Sequence, residues 1–276
     1  MHYGRECVII TAEDMNSRKN PERNTDTGCC SSTVGQVSDQ SDCCNRQMTI
    51  KNANITNYDD VKKYMKSVLP DIGMAPNKSN RLWAEDHGYF FSLIELQPWY
   101  GAGCYINVAM TFLWSECQAV FGYFEPDLRI WIPETKIHGG LIMFDDPRRN
   151  YQIAKTLEVA INRIIDYRSF SDLGLMADAL IARPERNYRD KADPKMFDHD
   201  ATIVQALLGN TELAKRMLNC QIEQLSLGPE SLKMRQEELA CLDNGTFAEY
   251  INAKIALNRQ AMYKKYPKIK KREFAF

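Results

Sequence analysis

"FFSLIELQPWYGAGCYINVAMTFLW" runs from Phe90 to Trp114. Two apolar-alternating segments flank a loop that holds Trp99, Tyr100, Gly101 and Gly103, the pattern of a β-hairpin. Side chains alternate across a strand, so one face carries Phe90, Ser92, Ile94 and Leu96, and in the second strand Ile106, Val108, Met110, Phe112 and Trp114. That face is the expected core face. A symmetric closure of the loop from Pro98 to Cys104 sets Gln97 opposite Tyr105 and Glu95 opposite Asn107, all on the other face. A carboxylate, two amides and a phenol then gather at a hairpin mouth beneath Trp99 and Tyr100. Glu95, Gln97, Trp99, Tyr100, Tyr105 and Asn107 are therefore the candidate binding residues. The plain alternative is a polar, solvated sheet face whose amides hold the loop backbone.

The flanking sequence supplies partners for this hairpin. "RLWAE" and a turn at "DHG" precede it, giving an antiparallel meander of about four strands once "LRIWI" and "GGLIMF" are considered, with Pro133 favouring an edge or break. Upstream, "NYDDVKKYMKSVLPDIG" places Val61, Tyr64, Met65, Val68 and Leu69 on one helical stripe. Asn57 or Thr56 suits its start, and Pro70 and Gly73 suit its end. Downstream, "YQIAKTLEVAINRIIDY" stripes Tyr151, Ala154, Leu157, Ile161, Ile164 and Ile165. Asp145, Asp146 and Pro147 read as its cap, with Arg148 and Arg149 exposed. After the polar break "RPERNYRDKADPK", helices are expected near Asp200–Leu208, Glu212–Leu225, Pro229–Leu242 and Phe247–Tyr266. The fold class is α+β, with an N-terminal helix, a meander packed by helices and an all-helical C-terminal part. The division is 1–47 as a tail, 48–183 as the α+β domain and 195–276 as the helical region.

This order of features resembles a bacterial family described only as domain of unknown function 4304. The resemblance rests on "VKKYMKSVLPDIGM", Trp83, "SLIELQ", the loop "WYGAG" and "CYINVA", and covers residues 58 to 180. Pro98 and Trp99 stand where the family has small polar or basic residues. The resemblance implies a compact α+β fold with no assigned activity, and by analogy an immunity or accessory role.

Thirty-five basic and thirty-six acidic residues leave no global field to attract nucleic acid or a membrane. No run of eighteen apolar residues marks a membrane span, and the N-terminus has only "CVII" where a secretory signal needs a longer apolar region. A cytoplasmic setting with reduced thiols is the expectation for the nine cysteines. The pairs Cys29–Cys30 and Cys43–Cys44 lack the two to four intervening residues that turn both thiolates onto one zinc ion. Residues 11 to 47 are nearly devoid of large apolar side chains and are expected to be disordered. They are either a tail or sequence upstream of a true start at Met48.

Chemistry-bearing motifs are sparse. No nucleophile elbow, phosphate loop, dinucleotide fingerprint or zinc-protease helix occurs. His199, between Asp198 and Asp200, reads as part of a helix cap rather than a metal site. "MYKKYPKIKKREF" interleaves tyrosines with cations, yet a solvated basic helix end is the simpler reading, so nucleic acid is not the favoured partner. No cofactor or metal is indicated. The leading expectation is a non-enzymatic cytoplasmic protein that binds a protein or peptide. The alternative is an enzyme or nucleic-acid-handling protein using the hairpin mouth.

Overall fold

The structure, a computed structural model, describes residues 54–115, 129–181, 194–274 and 276. The expectations for residues 1–47, including the paired cysteines, lie outside the described residues. Helix α1, Tyr58–Val68, begins where the Asn57 side chain accepts hydrogen bonds from the Asp59 and Asp60 amides. It tightens into a 3₁₀ turn at Leu69–Ile72 and stops at Gly73, whose φ of 89° any side chain would strain. The sheet follows as β1 (Ala75–Pro76), β2 (Leu82–Asp86), β3 (Phe90–Trp99), β4 (Gly103–Phe112) and β5 (Ile142–Met143). These five pair in sequence order and antiparallel throughout. The fold is thus α+β, with one more strand than the meander of about four read from the pattern. The additional strand is two residues long, too short to show alternation. Among the described residues of "LRIWI", Arg129 bridges to Asn107 and the Ile130 amide donates to the Ile106 carbonyl at 3.0 Å, but no strand forms before Pro133 starts a 3₁₀ turn at Pro133–His138.

Helix α2 spans Arg149–Ser169 and α3 spans Leu173–Ile181. At the entry to α2 the Asp146 carboxylate accepts from the Arg148 amide at 2.7 Å and from Gln152 Nε2 at 3.0 Å. Arg149 is not the merely exposed residue expected: its guanidinium reaches the Ile55 carbonyl and holds the chain entering α1. The expected face of the hairpin packs as read over its tip-side half, with Ile94, Leu96, Ile106 and Val108 buried against Val61, Met65 and Leu69 and against Ile153, Leu157 and Ile161, whereas Phe90, Met110, Phe112 and Trp114 of the same face fall in a second core with residues of the C-terminal helices.

The opposite face is not solvated. Leu82, Ala84, Phe91, Leu93 and Ala109 lie in this second core with Ile251, Ile255, Tyr266 and Ile269. The C-terminal helices form this cover: α4 (His199–Leu207), α5 (Thr211–Gln224), α6 (Pro229–Asn244) and α7 (Phe247–Lys265). Their starts follow the sequence reading closely, since Asp198 accepts from the Ala201 amide at 3.0 Å and Gly228 and Pro229 open α6.

One carboxylate fastens α7 to the sheet. Asp86, at the end of β2, has no exposed side-chain surface. Its Oδ2 accepts from Arg259 Nη2 at 2.9 Å, Tyr263 OH at 2.7 Å and the Arg272 amide at 3.1 Å. Its Oδ1 accepts from the Gly88 amide at 2.8 Å. Nearby, Tyr89 stacks on Trp114 at 5.3 Å and meets Phe274 at 5.5 Å, while Trp114 Nε1 donates to Asp200 at 2.9 Å. A burial this complete leaves donors stranded if the acceptor goes. Asp86→Ala is expected to cost about 2–4 kcal/mol in chemical denaturation, because the partly buried Arg259, the Tyr263 hydroxyl and the Gly88 and Arg272 amides lose a shared acceptor together. Asp86→Asn, which keeps an acceptor, should cost less. A loss below about 1 kcal/mol for the alanine variant would mean that apolar packing alone holds α7.

Candidate interaction site at the hairpin tip

The register pairs Gln97 with Tyr105 and Glu95 with Asn107, so the four polar candidates share one face as the symmetric loop requires. Asn107 Nδ2 donates to Glu95 Oε2 at 2.9 Å and to Gln97 Oε1 at 3.1 Å. Here the structure departs from an open mouth: Asn107 is 4% exposed, Tyr105 5% and Glu95 9%, while Gln97 is half-buried. The end of α7 lies over them. Burial pulls the Lys265 ammonium below its usual range while Glu95 opposes the shift, and burial together with Glu95 raises the Tyr266 phenol. A cross-strand polar ladder inside the protein is what these groups form. Pattern alone could not reveal this, because the residues near Glu95, Lys265 and Tyr266, come from about 170 positions away, while Arg129, which covers the Tyr105 ring, belongs to a segment with no strand of its own among the described residues.

Trp99 and Tyr100 behave otherwise. Tyr100 and Gly101 both have positive φ, 43° and 75°, and the Ala102 amide donates to the Trp99 carbonyl at 2.9 Å, the mirror-image turn that matches hairpin twist. A bulky residue in the left-handed region is strained, and strain of this kind gathers where a side chain must be presented. Tyr100 is 90% exposed and Trp99 39%. Their rings meet edge to face at 4.7 Å, and Trp99 meets Tyr105 at 5.8 Å. Arg129 lies 3.9 Å above the Tyr105 ring. The tip is braced from the side as well, because the Phe144 amide donates to the Ala102 carbonyl at 2.9 Å. Gly103 allows that approach, since a Cβ there would collide with the Ile142 carbonyl. Of the six candidates, two are thus displayed to solvent and four stand behind them.

The histidines divide differently. His199 does not cap its helix; its Nε2 lies 2.8 Å from Glu238 Oε2. Glu238 has no exposed side-chain surface and also receives Lys254 at 3.3 Å, with Arg235 at 3.6 Å. Burial raises the Glu238 carboxyl, but His199, Lys254 and Arg235 outweigh it and hold the group below its ordinary value. Gln221 links this group to Thr202 at 2.8 Å and to Arg235 at 2.9 Å. The sequence reading missed this network. Arg235 and Glu238 are spaced i,i+3 on α6 and His199 and Thr202 i,i+3 on α4, but only tertiary packing brings the two pairs together with Gln221 of α5 and Lys254 of α7. His87 is buried in the turn before β3, its Nε2 2.9 Å from Ser92 Oγ and its ring stacked on Phe90 at 4.6 Å. Burial, aided by Arg272 and Arg168, pulls its pKa down to about 3. Among the described residues no group of three or more His, Cys, Asp or Glu side chains could hold a metal ion, and no helix is long and apolar enough to cross a membrane. Comparison with family models, curated proteins and solved structures finds no match to this chain.

Two outcomes are expected from this geometry. Asn107→Leu deprives two buried or half-buried acceptors of their donor and should cost about 1–3 kcal/mol in denaturant, with the Trp99 and Tyr100 side chains still displayed. His87 is neutral when folded and binds a proton more readily when unfolded, so it contributes stability above its ordinary pKa of 6.5 that is lost as pH falls toward about 3. His87→Gln should therefore flatten the fall in stability between roughly pH 6 and 4, by up to about 1.4 kcal/mol per pH unit. Glu238 contributes in the same direction, so some slope should persist in pH-dependent denaturation curves.

Proposed function

We propose that this is a non-enzymatic, cytoplasmic bacterial protein that binds a protein or peptide through the tip of the β3–β4 hairpin. The observation that carries this reading is the exposed Trp99 and Tyr100 pair on a braced, positive-φ turn. Large aromatic rings fixed at a surface expose apolar area without much rotamer freedom to lose, which is why Trp and Tyr dominate interface hot spots. Tyr105 and Arg129 behind the pair keep the rings from collapsing onto the sheet. Free thiols at Cys104, Cys220 and Cys241 accord with a reducing compartment. The resemblance of residues 58–180 to the domain of unknown function 4304 family belongs to the same proposal, with immunity or an accessory role as its setting.

An enzyme or nucleic-acid-handling protein working through the polar mouth is the competing reading. It requires Glu95 and Asn107 to meet a substrate, and their burial beneath α7 gives that reading no support. The test is quantitative capture from the encoding organism with the full chain and with the Trp99→Ala/Tyr100→Ala double variant. The wild-type chain should retain one protein at near-equal amounts, and the variant should lose it with stability unchanged within about 1 kcal/mol. Equal capture by both would remove the tip from the interface and overturn the assignment.

A further inference from the structure

The basic end of the chain is not the loose, solvated tail that its composition implies. Tyr266 and Ile269 point inward at 1% and 7% exposure, the Arg272 amide is held by Asp86, and Phe274 meets Tyr89. The residues between these anchors are consequently set outward. Lys264, Lys268, Lys270 and Lys271 are exposed, and among the described residues none of the four has a carboxylate at ion-pairing distance. Beside them lies an open depression of about 560 Å³, lined by Arg259, Gln260, Tyr263, Lys271, Arg272 and Phe274 and by one carboxylate, Glu273, so that cations outnumber anions in its wall three to one. Lys271 Nζ sits 4.8 Å from the centre of the Tyr263 ring.

We propose that this ribbon and depression bind single-stranded nucleic acid, with the lysines taking backbone phosphates and the depression taking a base. Neighbouring cations fixed without counter-charges repel one another, and a row of phosphates relieves that repulsion while releasing its own counterions. A floppy tail would lose that gain in becoming ordered; here folding has already ordered it. The depression decides among polyanions. Phosphate needs no aromatic ring and no amide, whereas a base uses the first for stacking and the second for edge hydrogen bonds. Two cations lie against the Tyr263 ring, Arg259 at 5.5 Å, held by Asp86, and Lys271 at 4.8 Å, of which Lys271 can swing from the ring to a phosphate when a base arrives. A duplex conceals its base faces, and an anionic lipid headgroup has none. With the chain nearly neutral at a formal net charge of −1, the attraction is local and should weaken steeply with salt.

The experiment is fluorescence anisotropy of a labelled oligothymidylate titrated with the full chain over a range of salt. Binding at low salt is expected, with a log–log slope of about −2 to −3 if three or four phosphates are contacted. Lys268→Gln/Lys270→Gln/Lys271→Gln should weaken binding about tenfold or more and make the slope shallower by about 2. Lys63→Gln/Lys66→Gln/Lys78→Gln, equally neutralising but on and beside α1, should leave binding within about twofold, and thermal melts of both variants establish that they fold. Absence of binding at low salt, equal loss in the two variants, or tighter binding to a duplex or to phosphatidylserine vesicles would each overturn the proposal. Trp99→Ala/Tyr100→Ala should bind the oligonucleotide like the wild-type chain, so this result and the hairpin-tip result are read separately.

Discussion

The architecture depends on covering the β3–β4 hairpin on both faces. Leu93 and Ile94 are adjacent in one strand and point in opposite directions, yet both are buried, and the same holds for Phe90 and Phe91. A strand apolar on both sides has no stable exposure to water, so two layers of helix are needed. The first comes from α1 and α2, close in sequence to the sheet. The second comes from the C-terminal helices, whose own apolar stripes would otherwise face solvent.

Covering the second face creates an electrostatic difficulty that the side chains resolve. Asp86, Glu95 and Glu238 are each almost wholly removed from water. A buried carboxylate is tolerated when donors reach it, and Asp86 and Glu238 have several, whereas Glu95, which keeps slightly more exposure, has the Asn107 amide. Asp86 draws its donors from β2's own turn, from α7 and from the chain beyond it, so its satisfaction and the docking of the C-terminus are one event. Glu95 takes the Asn107 amide, and Glu238 takes His199 and Lys254. These contacts also select one register and one helix arrangement, because a slipped strand or a shifted α7 would leave a charge without partners.

With both faces of the sheet occupied, surface for recognition remains at the ends of elements. The hairpin tip presents aromatic rings on a strained turn, and the chain after α7 presents cations on a ribbon pinned from beneath. The two surfaces differ in chemistry, one apolar and one cationic. In both, residues that point inward hold neighbours that point outward. Tyr105 stands behind Trp99, and Tyr266 and Ile269 stand behind Lys268 and Lys270.

The elements and their local pairing are legible in the order of residues along the chain. The 3.6-residue stripe of α1, the Ala154, Leu157, Ile161 and Ile164 part of the α2 stripe, the starts of the C-terminal helices, the hairpin and the Glu95–Asn107 register all arise from interactions between residues close along the chain or joined by one short loop, whereas Tyr151 and Ile165, read into the same α2 stripe, are exposed and Ile153 and Ala160 are buried in their place. Such interactions leave a periodic or turn-specific trace. The near-continuous apolar run from Tyr89 to Leu96 also carried the trace of two-sided burial, although strict alternation was the simpler reading. Which groups stay wet depends instead on how distant elements pack. Glu95 and Asn107 are polar residues on a face that alternation assigns to water, and it is α7 that encloses them. The Asp86 clamp joins residues 173 positions apart, and Glu238 meets His199 across 39. Burial of that kind depends on where distant helices dock, and docking is set by shape and by the pairing of charges in space, neither of which leaves a period in the sequence.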